Sequence, residues 1–306
     1  MAFLAFFLTG VSLGQAATAF YATVYDAVEG EGKVVAIDKF GNSIDYATGF
    51  DQPEGLAQDR QGNVFVIDGE ALWKIAAPGV REIVATKPNA YNSWGMAMDA
   101  FDNIYVTGNS DLPSFAPQIY KFFAATSYGT YDTWTAAGTA TGLAIGNDGA
   151  LYAADGNIVR YDINTGAYET YYEFSDAYAG FQVFGLAFNA QGELFVSGYL
   201  DTDQVLKISA DLSSISTVVD AGLTDVRGIT LDGAGNLFMA NWACGCGPEN
   251  AIMSQSGMTA VLFSGQGDFS PNFIIAASPV PEPSALWLLA AGLGIIALRK
   301  SRRRSR

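Results

Sequence analysis

The chain has no histidine and only two cysteines in 306 residues, and six of its 16 Lys and Arg residues fall within the last eight positions. Without histidine there is no imidazole base, no usual zinc or copper ligand, and no Ser-His or Cys-His nucleophile arrangement, which excludes most familiar hydrolase mechanisms. Cys244 and Cys246, in "ANWACGCGPEN", are too few for a structural zinc site with no imidazole to help. A disulfide between them is strained by the single intervening glycine, although an oxidising compartment favours it over free thiols. Positive charge is also scarce. The tail from Pro281 onward holds six basic residues and one acid, which leaves 10 basic against 30 acidic residues, or −20, for everything before it. Such a body repels nucleic acid and anionic membranes. Its natural ligands are cations, or else its acidity serves only solubility.

What the chain does contain is apolar surface and glycine. Half of its residues are apolar, enough for a sizeable core. The 34 glycines, with 20 Phe and 15 Tyr, suit many short strands joined by tight turns. The expected class is all-β.

The two ends read as addresses. Residues 1–19, "MAFLAFFLTGVSLGQAATA", are apolar, close on small residues at Ala17-Thr18-Ala19 and form a signal peptide, though without the usual basic residue near the start; the competing reading is a buried first strand. At the other end, Ala285 to Leu298 is a run of 14 uncharged residues, extended to a segment of 19 that includes Glu282 when counted from Val280, near the lower limit for a spanning helix. Arg299, Lys300, Arg302, Arg303, Arg304 and Arg306 follow at once, and such charge stays on the cytoplasmic side. Val280-Pro281-Glu282-Pro283-Ser284, the apolar span and the arginine cluster occur in the order of the PEP-CTERM sorting signal, which this tail of about 27 residues closely resembles. The resemblance implies recognition by an exosortase, with Pro281, Glu282 and Pro283 as the sorting motif and the basic cluster as the stop-transfer element. It also implies export, a periplasmic body held transiently at the inner membrane, then transfer to the cell surface or an exopolysaccharide matrix. An ordinary C-terminal anchor is the competing reading.

Between the ends one phrase recurs: "EGLAQDRQGNVFVID" from Glu54, "WGMAMDAFDNIYVTG" from Trp94, "TGLAIGNDGALYAAD" from Thr141, "FGLAFNAQGELFVSG" from Phe184 and "RGITLDGAGNLFMAN" from Arg227. Its glycines, Gly55, Gly95, Gly142, Gly185 and Gly228, are spaced by 40, 47, 43 and 43 residues. Each copy has an alternating apolar run, a polar turn and a second apolar run, which predicts a β-hairpin. A third strand follows ("ALWKIA", "QIYKFF", "NIVRYD", "QVLKIS") and a weaker fourth completes the period. Four-stranded units of this length are propeller blades. One period before the second strand "NVFVID" lies "FYATVYD" from Phe20 without an innermost strand of its own, and one period after Gly228 comes "PNFIIAA" from Pro271. The expectation is a six-bladed β-propeller over residues 20–278, its last blade shared between the two ends, with 279–306 as the sorting tail. A seven-bladed ring and an open solenoid are the alternatives. The phrase resembles those of NHL-repeat and regucalcin or gluconolactonase-like propellers, a scaffold that hosts enzymes, binders and spacers alike.

The residues just before the repeat glycines, Glu54, Trp94, Thr141, Phe184 and Arg227, should ring one mouth of the channel. Loops after the second strands add Asp68, Glu70, Asn109, Asp111, Asp155, Asn157, Tyr199, Asp201, Asn241 and Trp242. Glu54, Asn109, Asp155 and Asn241 come from different blades and offer the oxygen ligands that Ca²⁺ accepts. The regucalcin resemblance implies one Glu, two Asn and one Asp around a divalent metal, although these positions do not match its motifs residue by residue. Asp and Asn are equally what turns select for their own backbone reasons. Trp94, Phe184, Tyr199 and Trp242, with Arg227, form either a stacking surface for sugar rings or ordinary blade packing. Two functions stay open, an exported binding or structural module and a metal-dependent lactonase of the regucalcin type; a third, a periplasmic ligand sensor, has no partner motif to support it.

Overall fold

The computed structural model describes residues 18–26, 30–88, 94–110, 116–220, 222–242, 251–255 and 269–277. Over these residues the chain forms strands grouped in six antiparallel sheets, with two single-turn 3₁₀ helices at 124–126 and 176–178. No helix among the described residues is long and apolar enough to cross a membrane. The apolar span from Ala285, Pro281 to Pro283, the basic cluster, the pair Cys244 and Cys246, and residues 1–17 lie outside them.

Blade 1 contains β1 (Thr18–Asp26), β2 (Glu31–Asp38) and β3 (Ser43–Phe50). Blade 2 is β4 (Pro53–Gln58), β5 (Val64–Asp68), β6 (Ala71–Ala77) and β7 (Val80–Thr86). Blade 3 is β8 (Met96–Met98), β9 (Ile104–Asn109), β10 (Pro117–Phe122) and β11 (Tyr131–Thr135). Blade 4 is β12 (Leu143–Ile145), β13 (Leu151–Asp155), β14 (Asn157–Tyr161) and β15 (Tyr168–Tyr172). Blade 5 is β16 (Gln182–Phe188), β17 (Leu194–Leu200), β18 (Thr202–Ile208) and β19 (Ile215–Val219). Blade 6 shows β20 (Val226–Leu231), β21 (Leu237–Asn241) and β22 (Ala251–Ser254) among the described residues. The last strand, β23 (Phe269–Ala276), pairs with β1 and gives blade 1 its innermost strand. The ring is thus closed by hydrogen bonds between the two ends, as the repeat count predicts. Strand β1 starts at Thr18, and Ala19 accepts a hydrogen bond from the Ala277 amide at 2.8 Å, so the last two residues of the expected signal peptide lie in the sheet.

Each sheet alternates its residues between two neighbouring blades, and the core is accordingly a set of inter-blade layers. Phe65, Ile67, Leu72 and Val106, for example, are fully buried between blades 2 and 3. The turn from first to second strand is built in one way in blades 2, 3 and 6. Asp59, Asp99 and Asp232 each accept two backbone N–H groups through Oδ1, and the Asn four residues on donates to Oδ2. This Asx arrangement needs a left-handed residue at its fourth position, supplied by Gly62 (φ 87°), Gly235 (φ 84°) and, without glycine, Asp102 (φ 63°). Asp102 is held there by the Arg60 guanidinium of the neighbouring blade, Nη2 to Oδ2 at 2.9 Å.

The repeat glycines answer to a tighter demand. Innermost strands meet around the axis backbone to backbone: a Cβ on Gly55 would lie 2.9 Å from the Met96 amide, while one on Gly142 would strike the Phe184 carbonyl and one on Gly185 the Arg227 carbonyl. Around the axis this leaves a channel cavity of about 240 Å³, lined by apolar groups such as Leu56, Met96, Leu143, Leu186, Ile229 and Ile274. Gly142→Ala and Gly185→Ala should each cost about 1–3 kcal/mol through overpacking, a drop of several degrees in melting temperature. Gly233→Ala, where a Cβ meets nothing within 4 Å, serves as control. Equal melting of all three variants would show that the ring tolerates spreading.

Candidate mouth site

Because all blades are antiparallel, the turns joining first to second and third to fourth strands share one face, the turn face. The loops that lead from blade to blade share the other, the mouth face. The residue before each repeat glycine stands at the mouth as the chain drops into the innermost strand. Trp94, Thr141, Phe184 and Arg227 line one cavity of about 280 Å³ there, together with Asp225 and Phe273. Glu54 joins them electrostatically: its carboxylate accepts a hydrogen bond from the Trp94 indole and faces Arg227 and Lys87. All five residues of the expected ring therefore meet at one mouth.

Their charges are tied together. Arg227 donates through Nη2 to Asp225 Oδ2 at 3.0 Å and lies flat on the Trp242 ring, 3.7 Å from its centroid, a stacked cation–π contact. Burial pushes the Glu54 carboxyl up to about 7, against the opposing pull of Arg227 and Lys87. Burial likewise pushes the Lys87 ammonium down to about 8, while Glu54 and Glu70 hold it up. Acid and base thus approach neutrality from opposite sides, as happens when two partly desolvated groups share one site.

The other expected ligands are placed differently. Asn109, Asp155 and Asn241 are absent from the lining of this cavity. Asn241, fully buried, accepts the Thr224 amide on Oδ1 at 2.6 Å and so fastens the loop leading into blade 6. Asp68 does the same for blade 2, taking the amides of Asp51 and Gln52, and Asn157 takes that of Phe174. Asn109 ends β9, where its carbonyl accepts the Tyr120 hydroxyl at 2.6 Å. Asp155 ends β13 beside Gly138, its carboxyl raised by burial. Tyr199 is exposed at the same face in blade 5. Among the described residues no three His, Cys, Asp or Glu side chains form a group able to hold a metal ion.

Three mouth residues escape a reading based on the repeat. Lys87 sits in the loop leading to blade 3, seven positions before Trp94 and outside the phrase. Asp225 precedes Arg227 by two, a spacing that alone predicts little. Phe273 is hidden because β23 lacks the glycine. Its amide bonds Thr23 Oγ1 at 3.1 Å, just as Gly95 bonds Thr107 Oγ1 and Gly185 bonds Ser197 Oγ. In the sixth position of the ring a phenyl group therefore replaces a hydrogen.

With this geometry in place, the comparisons define a class. Residues 279–304 match the PEP-CTERM protein-sorting motif, which implies export, membrane-anchored sorting and processing by an exosortase. No curated protein matches the chain. Among solved structures it is similar to a chain of the nidogen/laminin complex (14% identity, TM-score 0.63, covering 85% of this chain and 98% of that one). TolB from Acinetobacter baumannii is also similar (14%, TM-score 0.61, 83% and 67%), as is a candidate gluconolactonase (17%, TM-score 0.56, 75% and 87%). At these identities the likeness shows the fold alone, a six-bladed propeller, here in a chain whose residues 279–304 match the sorting motif.

The raised Glu54 carboxyl has a signed consequence. Its folded value near 7 lies above the ordinary carboxylate range, so the folded state binds the extra proton between about pH 4.5 and 7 and loses stability as pH rises through that window. Glu54→Gln should match the parent at pH 4.5 and exceed it by about 1–3 kcal/mol at pH 8.5. Thermal melts of both chains across this range check it, and a difference that does not change with pH would place Glu54 in water.

Proposed function

We propose that the protein is an exported propeller acting as a binding module of the cell surface or its matrix, with the mouth as its ligand site. In this reading residues 1–19 are a signal peptide, 20–278 the propeller and 279–306 the sorting tail. One observation carries it: side chains from four blades and from β23 converge on a single concave site walled by Trp94, Phe184 and Phe273, with Arg227 at its edge. Concave, mostly apolar sites with a few fixed polar groups are where small ligands bind. Aromatic walls with a guanidinium beside them suit sugar rings, whose C–H faces stack while hydroxyl or carboxylate groups take hydrogen bonds. An exopolysaccharide of the producing cell is the natural source of such rings.

A second reading, the lactonase or hydrolase, is favoured by Glu54. Its carboxyl lies in the mouth beside Trp94, Lys87 and Arg227, with a proton affinity near neutrality, as a general base requires. A Ca²⁺ centre built on Glu54, Asn109, Asp155 and Asn241 would instead have to draw Asn241 away from the Thr224 amide and seat a dication beside two side-chain cations.

Titration of the processed protein with oligosaccharides from the cell's own matrix tests the first reading. Binding should fall at least tenfold in Trp94→Ala with no change in melting temperature; absence of binding in the folded parent would retire it. Calcium titration runs in parallel. One tightly bound ion, lost in both Glu54→Gln and Asp155→Asn, would transfer the case to the enzyme.

A further inference from the structure

Among the described residues the large exposed apolar side chains are unevenly shared between the two faces. Phe40 and Phe101, each 71% exposed, stand at the tips of turns, Phe40 between β2 and β3 and Phe101 between β8 and β9. Val80, 59% exposed, opens β7 at the turn from β6. All three turns belong to the turn face, and Ile44, Tyr131 and Tyr168 begin strands that rise from it. On the mouth face, Tyr199 is the large apolar side chain of this exposure among the described residues; Ile83 lies midway along β7. Exposed apolar groups clustered on one side mark a surface that meets something.

The chain itself indicates what. Innermost strands run from mouth to turn face, so β23 delivers Ala276 and Ala277 to the turn face, where Ala276 pairs with Phe20. The sorting motif begins two residues later, at 279. The membrane-held segment therefore leaves from the face that carries the exposed phenyl rings. We infer that this face rests on the bilayer surface while the tail is still attached, with Phe40, Val80 and Phe101 in the lipid interface and the mouth turned away from the membrane.

Charge sets the strength of the contact. The turn face also carries Asp38, Asp59, Asp99 and Asp232, each spending its carboxylate on backbone N–H groups of its own turn, with Lys39 and Arg60 among them. Such a face gains nothing from anionic lipid, and three apolar tips bind weakly on their own. A short tether raises their effective concentration to about the millimolar range, so the contact forms when the chain is held and lapses when the tail is removed.

The test is hydrogen exchange of the full chain in nanodiscs of zwitterionic phosphatidylcholine against the chain ending at Ser278. Residues 38–42, 77–80 and 99–103 should exchange at least threefold more slowly in the discs, with 222–228 unchanged. The double variant Phe40→Ser, Phe101→Ser should lose that protection while melting as the parent does, both side chains being exposed. Protection at the mouth, protection that survives in the double variant, or no protection at all would overturn the inference. So would concentration-dependent protection of the truncated chain with a dimer in sedimentation, which would assign the face to a second copy. Failure of the mouth to bind any sugar leaves this inference untouched.

Discussion

The approach of the innermost strands around the axis is the constraint on which the remaining structure hangs. Strands packed this closely leave little volume for a Cβ where one backbone faces the next: one on Gly55, Gly142 or Gly185 would strike the neighbouring blade, and one on Gly95 would crowd Leu143 at 3.1 Å. The glycine fixes the level at which each blade meets the axis, and so fixes what lies above and below it. The residue before it is thrust into the mouth; the residue after it, Leu56, Met96, Leu143, Leu186 or Ile229, lines the channel. Mouth and channel are successive layers of one repeated dipeptide step.

Packing alone would leave the backbone at this level short of partners, since innermost strands of adjacent blades splay apart too much to form a ladder. Hydroxyl groups fill the gap in alternate blades. Thr23 donates to the Glu54 carbonyl while accepting the Phe273 amide, and Ser197 donates to the Arg227 carbonyl while accepting that of Gly185. Thr107 accepts the Gly95 amide in the same way. The corresponding positions of blades 2, 4 and 6 are Ile67, Ala154 and Ala240, all buried. Thr141 Oγ1 instead reaches the Val183 carbonyl at 2.7 Å from the lead-in to blade 4. Buried polar groups of this kind cost free energy if unpaired, and the Thr23 and Ser197 hydroxyls both satisfy their own blade and fasten it to the next.

The same economy explains which parts of the site were legible. Repeat, blade count, closure by "PNFIIAA" and the ring of Glu54, Trp94, Thr141, Phe184 and Arg227 all follow from period and glycine position, which sterics enforce. The polar residues that end the second strands were ambiguous because two demands select the same residue types. Asp68 and Asn241 are Asx residues that hold lead-in loops, a role invisible in spacing because the amides they take lie 16 or 17 residues earlier. Lys87 and Asp225 belong to loops that vary in length from blade to blade, so no period points at them. Phe273 was concealed by the one substitution of the repeat glycine that the ring accepts, at the strand supplied from the far end of the chain. There the phenyl ring turns into the mouth and becomes a wall of the site.

A closed ring also separates the two faces more completely than most folds can. In this chain the turn face receives both described chain ends and the exposed phenyl tips, while the mouth face holds the partly buried charges and the concave aromatic walls. The separation follows from strand pairing: β1 runs from the turn face to the mouth, and β23 runs antiparallel beside it and so ends on the turn face. The matched sorting motif therefore begins beyond the turn face, on the side opposite the candidate site. Had closure used two strands from the C-terminal end instead of one, the tail would emerge at the mouth and compete with ligand for Arg227 and Trp94. The single-strand closure thus keeps both described chain ends and the candidate site on opposite faces of one ring.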